Sequence, residues 1–257
     1  LFNVGFVDIH SHILYGLDDG AKTVEESAAM LEYAAAAGTT DIVATPHANA
    51  QFPFDPEIVE SRIAELGTLV GKVRIHRGCD FHLQADNIQD AIAHPKKYTV
   101  NHKSYLLVEF PDSIIPNSDQ ILSQLLDAGL VPIVTHPERN VAIQRRLDDV
   151  ARWVEIGCYI QITAGSLTGV FGKRADVCAE ELVRRGLAHF VASDAHDCHH
   201  RPPSLAEAYQ FLTDKFDEAA IRPMFVDNPA AVLTGDRIDF EFEPGPVQRR
   251  RWYQFWR

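Results

Sequence analysis

The sequence predicts an α/β chain in which seven strand–helix units close, or nearly close, into a parallel barrel. Three observations carry that prediction. Seven short runs rich in Val, Ile, Leu and aromatic residues recur over residues 4–193, as strands buried on both faces require. Helical stretches separate most of them, and strands alternating with helices give parallel sheets with right-handed crossovers. No G-x-G-x-x-G follows the first run, which weakens the alternative of an open, doubly wound sheet that binds a dinucleotide. A length of 257 residues suits one such unit, and a hydrophobic content of 46% can fill its core.

Taken in order, the strands fall at residues 4–9, 41–45, 74–79, 105–110, 131–135, 159–163 and 189–193. After the first, Thr23 and Glu26 form a capping box ahead of a helix over 27–37, which Gly38 ends. Asp55 and Pro56 read as N-cap and first helical residue of a helix over 57–70. Residues 85–103 are looser, with a short helix and a turn. Helices over 119–128 and 150–156 stop at Gly129 and Gly157. Ser204 and Glu207 form a second capping box before a helix over 206–212, and Asn228-Pro229 starts a last short helix over 230–234. Residues 236–257 differ in character, ending in a run of Arg and aromatic residues from Arg249 to Arg257. That tail reads as a packing arm, or as a contact with an oligomer mate or another partner.

The formal net charge of -12 argues against nonspecific nucleic-acid binding, which selects basic surfaces. It is compatible with a phosphorylated substrate, because bound divalent cations reverse the sign locally. The four cysteines, Cys79, Cys158, Cys178 and Cys198, include no C-x-x-C pair. They read as reduced thiols of a cytoplasmic protein. No apolar run approaches the roughly 20 residues of a membrane span, and the start lacks the pattern of a signal peptide.

The chemistry lies at the strand ends. His10 and His12 follow the first strand, His47 the second and Asp80 the third. Glu109 ends the fourth, His136 follows the fifth, and Asp194 and His196 follow the seventh. In a β/α barrel these ends converge on one face, where active sites lie. A lone histidine there is weak evidence, but alternate positions such as His10 and His12 point to one side. The coincidence is the argument: buried carboxylates are costly unless a cation compensates them. Imidazole mixed with carboxylate suits Mn, Fe or Zn rather than Ca. No cysteine stands at a ligand position, which disfavours a structural zinc site. The ligands exceed the needs of one ion, so two or three divalent ions are expected.

Of the pair Asp18-Asp19 before Gly20, Asp19 is preferred as a further ligand, with a leaving-group acid or a simple Asx turn as the alternatives. Arg139 lies three residues after His136, and Arg201 five after His196, before Pro202-Pro203. Guanidinium groups bind phosphate oxygens bidentately and stabilise transition-state charge. Arginines beside a metal cluster therefore point to a phosphate ester. The glycine-containing segment 163–169 lacks the Gly-Lys-Ser/Thr of a P-loop and reads as the floor of the site.

The motifs are Asp8-Ile-His-Ser-His12, Leu17-Asp-Asp-Gly20, Ala44-Thr-Pro-His47, Val108-Glu-Phe110, Thr135-His-Pro-Glu-Arg139, Gln161-Ile-Thr-Ala-Gly-Ser-Leu-Thr-Gly169 and Ala192-Ser-Asp-Ala-His196 with Arg201-Pro-Pro203. In that order and spacing the chain resembles the polymerase-and-histidinol-phosphatase (PHP) superfamily. Within it, the likeness is to bacterial protein-tyrosine phosphatases of the capsule and exopolysaccharide type, and it runs from about Phe6 to Gly235. The resemblance implies a single-domain distorted (β/α)7 TIM-like barrel over residues 1–235 with a trinuclear centre, usually Mn or Fe. It implies that His10, His12, Asp80 and Asp194 hold one ion, and that Asp80 and Glu109 bridge to a second bound by His136. Asp19, His47 and His196 would serve the third, and Arg139 and Arg201 would grip the phosphate. The implied catalytic set is His136, Arg139, Arg201 and Asp19, and the implied reaction is attack of metal-activated hydroxide on phosphotyrosine. The implied partner is the tail of a bacterial tyrosine kinase of polysaccharide synthesis or export. Two features depart from the family pattern: Asp80 stands where Glu is frequent, and the basic aromatic tail has no counterpart.

The rival readings are a small-molecule phosphatase such as a histidinol-phosphate phosphatase, a nuclease of the same superfamily, and a metal-binding regulatory module without activity. The acidic charge speaks against the nuclease. The intact ligand set and both arginines speak against the inactive module.

Overall fold

The computed structural model describes residues 4–111 and 117–239. The basic aromatic run 249–257, and with it the expectation of a packing arm or an oligomer contact, lies outside the described residues. In chain order the elements are β1 (Phe6–Ser11), α1 (Val24–Ala36), β2 (Thr39–Ala44), β3 (His47–Ala48), α2 (Pro56–Leu69), β4 (Arg74–Arg77), β5 (Asp80–His82), α3 (Ala85–Ala93), β6 (Tyr105–Glu109), α4 (Ser118–Asp127), β7 (Val131–Thr135), α5 (Leu147–Glu155), β8 (Tyr159–Thr163), α6 (Ala164–Leu167), α7 (Gly172–Arg184), β9 (Phe190–Ala192), α8 (Ala206–Thr213), α9 (Glu218–Ile221) and α10 (Asp227–Thr234).

Every described strand pairing is parallel. The strands form two sheets, ordered β1-β2-β4 and β3-β5-β6-β7-β8-β9, and not one closed ladder. The second and third expected strands, 41–45 and 74–79, are each followed after a two-residue break by a further short strand, β3 and β5. Thr45-Pro46 separates β2 from β3, and proline has no N–H to give to a ladder. Gly78-Cys79 separates β4 from β5. A Cβ at Gly78 would stand 2.7 Å from Val43 Cγ1, so only glycine lets the two strands approach there. Hydrogen bonds nevertheless continue through the break, from Gly78 N to Ala44 O at 2.9 Å and from Asp80 N to Pro46 O at 3.1 Å. A bridge between Ser11 and Ala195 links the end of β1 to the segment after β9. One apolar cluster draws Val7, Ile9, Val43, Leu107, Ile133 and Phe190 from both sheets, so the sheets share a core.

The starts of α1 and α2 follow their local signals. Thr23 accepts from Glu26 N at 3.3 Å and Asp55 accepts from Glu57 N at 2.9 Å, each capping its helix. The second expected capping box does not form: Leu205 occupies the N-cap of α8, with no side-chain cap. Helix α7 went unrecognised in the sequence because Phe171 at its N-cap offers no polar start signal. Its buried residues Ala175, Cys178, Ala179, Leu182 and Val183 do follow helical spacing, and Gly186 stands just past its end.

Candidate metal centre and phosphate site

The strand ends and the turn after β1 bring all nine sequence-predicted ligands to one place. Among the described residues, four sets of donors lie within 4.8 Å of one another: His12, Asp19, His47 and His196; His10, Asp80 and His136; His10, His12 and Asp194; and His47, Asp80 and Glu109. His10 lies within β1, not after it, and His47 and Asp80 open the short strands β3 and β5 as paired neighbours. His136 and Asp194 have φ of 35° and 51°. A non-glycine residue in that left-handed region costs roughly 1–2 kcal/mol. Such strain gathers at sites where geometry matters more than local stability.

Asp80 shows that the donor set suits cations. It is fully buried and neither carboxylate oxygen accepts a hydrogen bond. Its Oδ2 faces His47 Nδ1 at 3.0 Å and His10 Nε2 at 3.7 Å. A buried carboxylate with free lone pairs, surrounded by imidazoles, is the arrangement a divalent ion satisfies. The electrostatics of the bare cluster point the same way. Burial opposes charge on His12, yet the Asp18 carboxylate outweighs it and pushes the ring up to about 9. Burial likewise opposes charge on His47, and Asp19, Asp80 and Glu109 push its ring up to about 11. Burial opposes ionisation of Asp194, but His10, His12, Arg201 and Arg139 hold it well below the usual carboxylate range. His136 differs: burial, then Arg139, pushes it down to about 3. The carboxylates around His12 and His47 thus make a site that favours positive charge.

The two aspartates before Gly20 have separate tasks. Asp19 Oδ1 lies 3.4 Å from both His47 Nε2 and His196 Nε2, at the rim, with its side chain 54% exposed. Asp18 is buried; its Oδ2 accepts from His12 Nδ1 at 2.7 Å and from His47 N at 3.2 Å, and its Oδ1 from Gly20 N at 2.9 Å. A Cβ at Gly20 would lie 2.1 Å from the His12 carbonyl oxygen, so this turn requires glycine. Gln161 does for His10 what Asp18 does for His12, its Oε1 accepting from His10 Nδ1 at 2.8 Å. Each partner fixes the ring and leaves Nε2 turned to the cluster.

Both sequence-predicted arginines reach the centre. Arg139 and Arg201 donate to Asp194 Oδ2, while Asp194 Oδ1 faces the Nε2 atoms of His12 and His10 at 3.3 and 3.4 Å. Phe171 lies under both guanidiniums, its ring centroid 4.2 Å from Arg139 and 5.6 Å from Arg201. Glu138 is fully buried and accepts from Thr163 N at 2.9 Å and Ser166 Oγ at 2.7 Å, tying the Arg139 turn to the 163–169 segment. Sequence reasoning missed Gln161, Glu138 and Phe171 as parts of the site. Gln161 and Glu138 sat inside recognised motifs, but Phe171 carried no signal apart from its nearness to them. The thiols are unsuited to nucleophilic attack: burial pushes Cys158 and Cys178 up to about 12, and raises Cys79 and Cys198 as well.

Residues 6–234 match the family model described as capsular polysaccharide synthesis, CpsB/CapC. The chain is 33% identical over 255 residues to the tyrosine-protein phosphatase YwqE of Bacillus subtilis, covering 97% of this chain and 99% of that one. It is 30% identical over 245 residues to the tyrosine-protein phosphatase CpsB of Streptococcus pneumoniae, covering 90% of this chain and all of that one, 100%. A solved structure described under YwqE from Bacillus subtilis and CpsB from Streptococcus pneumoniae, unique metal-dependent tyrosine phosphatases, superposes with a TM-score of 0.85. It is 31% identical and covers 95% of this chain and 100% of that one. A phosphotriesterase homology protein from Escherichia coli, 11% identical with a TM-score of 0.58, covers 90% of this chain and 99% of that one and shares the fold alone.

Proposed function

The chain belongs to the capsular polysaccharide synthesis CpsB/CapC family, and from that premise we propose that it is a metal-dependent protein-tyrosine phosphatase. The observation that carries the proposal is the meeting of nine His, Asp and Glu donors with two arginines on one carboxylate, Asp194. His10, His12, His47, Asp80, Glu109, His136, Asp194, His196 and Asp19 would hold two or three divalent ions, with Mn or Fe favoured and Zn an alternative. Such ions supply Lewis-acid charge and lower the pKa of a coordinated water.

The protein's own groups do the rest. Arg139 and Arg201 bind the non-bridging phosphate oxygens, and Phe171 beneath them holds their planes in place. Asp18 and Gln161 orient His12 and His10. Hydrogen bonds from His196 and His47 hold the Asp19 carboxyl well below the usual range. Asp19 therefore suits a ligand better than a proton donor. A tyrosine phenolate, with an ordinary pKa of about 10, leaves with less help from an acid than an alkoxide does. The raised thiol pKa values support a route without a cysteine intermediate. Relatives named as tyrosine phosphatases of this family support a phosphotyrosine protein, the tail of a bacterial tyrosine kinase, as substrate. Four free cysteines, three of them buried, support a cytoplasmic location; no helix among the described residues is long and apolar enough to cross a membrane. We also read the two sheets as parts of one distorted seven-unit barrel over residues 1–235, supported by the Ser11–Ala195 bridge and the shared core.

The test is hydrolysis of a phosphotyrosine peptide and of histidinol phosphate, side by side, by metal-stripped protein reconstituted with Mn, Fe, Zn or Mg. The expected result is a higher kcat/KM for the peptide and a requirement for a transition metal. A preference for histidinol phosphate would move the substrate class, and no turnover with any metal would end the enzyme reading.

A further inference from the structure

We infer that a basic groove beside the phosphate site docks the acidic residues that flank the substrate's phosphotyrosine; the substrate part of this inference rests on the reading above. The groove runs between the turn before α5 and the first turns of α7, and Arg145, Lys173, Arg174, Leu147 and Val177 line it. Its charge is unusual for this chain. Eleven of the thirteen described arginines make an ion pair with a carboxylate; Arg145 and Arg174 do not, and both line this groove. Both are exposed. In a protein of net charge -12, two unpaired guanidiniums on one face mark a local reversal of sign.

The neighbouring charges do not cancel it. Lys173 pairs with Asp176 at 2.7 Å, and Glu181, the acidic group in the lining, is held by Arg185 at 2.8 Å. Helix α7 has no acidic residue in its first turn and no side-chain cap, so its positive end adds to the same field. Val177, 55% exposed, gives the wall an apolar surface for the aliphatic part of a bound side chain.

Position ties the groove to the site. Phe171, which underlies both phosphate-binding arginines, is three residues before Arg174, so their Cα atoms stand at most about 11 Å apart. On the other wall, Gln144 donates to the Glu138 carbonyl at 2.7 Å, next to Arg139. Extended chain advances roughly 3.3 Å per residue, so a peptide with its phosphotyrosine on Arg139 and Arg201 reaches Arg145 and Arg174 with residues a few positions from the phosphotyrosine. Aspartate or glutamate there would meet two guanidiniums able to bind carboxylate in a fork. The partner chemistry is thus an acidic, extended tyrosine-containing segment.

Binding tests the groove without turnover. Fluorescence anisotropy on the metal-loaded protein compares a labelled tyrosine peptide flanked by glutamate with its glutamine counterpart. The expected result is about tenfold tighter binding of the glutamate peptide at low salt, with the preference lost in R145A/R174A and reversed in R145E/R174E. K72A/K96A, removing two other lysines, keeps the preference. Thermal melts of each variant confirm that it folds. Equal binding of the two peptides by the wild type, or a preference that survives in R145A/R174A, overturns the inference. Hydrolysis of free phosphotyrosine by the wild type is measured separately, and its failure would count against the phosphatase reading and not against the groove.

Discussion

Replacing Asp18 with Asn isolates what one buried carboxylate does for the centre. The substitution keeps the shape and an oxygen for Gly20 N, but removes the charge 2.7 Å from His12 Nδ1. In the metal-free protein the His12 ring is pushed up to about 9 from its ordinary 6.5, against burial, chiefly by Asp18. At about 1.4 kcal/mol for each tenfold change in proton affinity, the net shift, in which Asp18 with help from Asp194 outweighs burial, corresponds to on the order of 3 kcal/mol, in line with the upper range of about 1.5–3 for a charged hydrogen bond. A raised folded-state pKa gives stability that is full below 6.5 and lost as pH rises through about 9. Urea denaturation of metal-stripped protein should therefore show D18N less stable at both pH values, because the amide cannot accept from both Gly20 N and His47 N, and its loss at pH 6 should exceed that above pH 9.5 by about 3 kcal/mol. With metal present, a misaligned His12 should weaken divalent-ion affinity about 10–100-fold, read by calorimetric titration. An equal stability loss at both pH values, together with unchanged metal affinity, would refute the assignment of Asp18 as the group that charges and aims His12.

Arg201→Ala should lower kcat/KM for a phosphotyrosine peptide by about 100-fold while metal content by elemental analysis stays at the wild-type level; loss of metal would mean that Arg201 props the cluster instead of binding phosphate. Phe171→Leu removes the ring under both guanidiniums and should cut kcat/KM about 5-fold, and unchanged kinetics would sink that role. Burial pushes His189 down to about 4, so the stability of its neutral form is full above 6.5 and lost as pH falls through 4. His189→Gln should accordingly flatten the stability decline between pH 7 and pH 4.5, and an unaltered slope in urea melts would show that other groups govern it.

The sequence alone determined the elements that depend on local chemistry. Strands β7 and β8 occupy the expected residues, 131–135 and 159–163, because buried parallel strands leave a continuous apolar trace. Helices α1 and α2 start where Thr23 and Asp55 cap them, since a cap bonds groups two or three residues away. Eight of the nine candidate ligands were legible for a related reason: each follows or ends an apolar run, and strand ends in such folds gather on one face, whereas Asp19 was marked by the turn it shares with Asp18 and Gly20. What was not legible depends on groups far apart in the chain. Helix α7 lacks a polar cap and is stabilised by packing of its apolar face. The division into two sheets follows from Pro46 and from the close approach of Gly78 to Val43, 35 residues earlier in sequence, which no local pattern encodes. Neighbours with the same side chain, Asp18 and Asp19, are chemically alike in sequence. Tertiary structure alone decided that one would be buried against His12 and the other left at the rim between His47 and His196. The physical reason is range: capping and periodicity act within a few residues, whereas burial, desolvation and the pairing of Gln161 with His10 across 151 positions exist only once the chain has closed on itself.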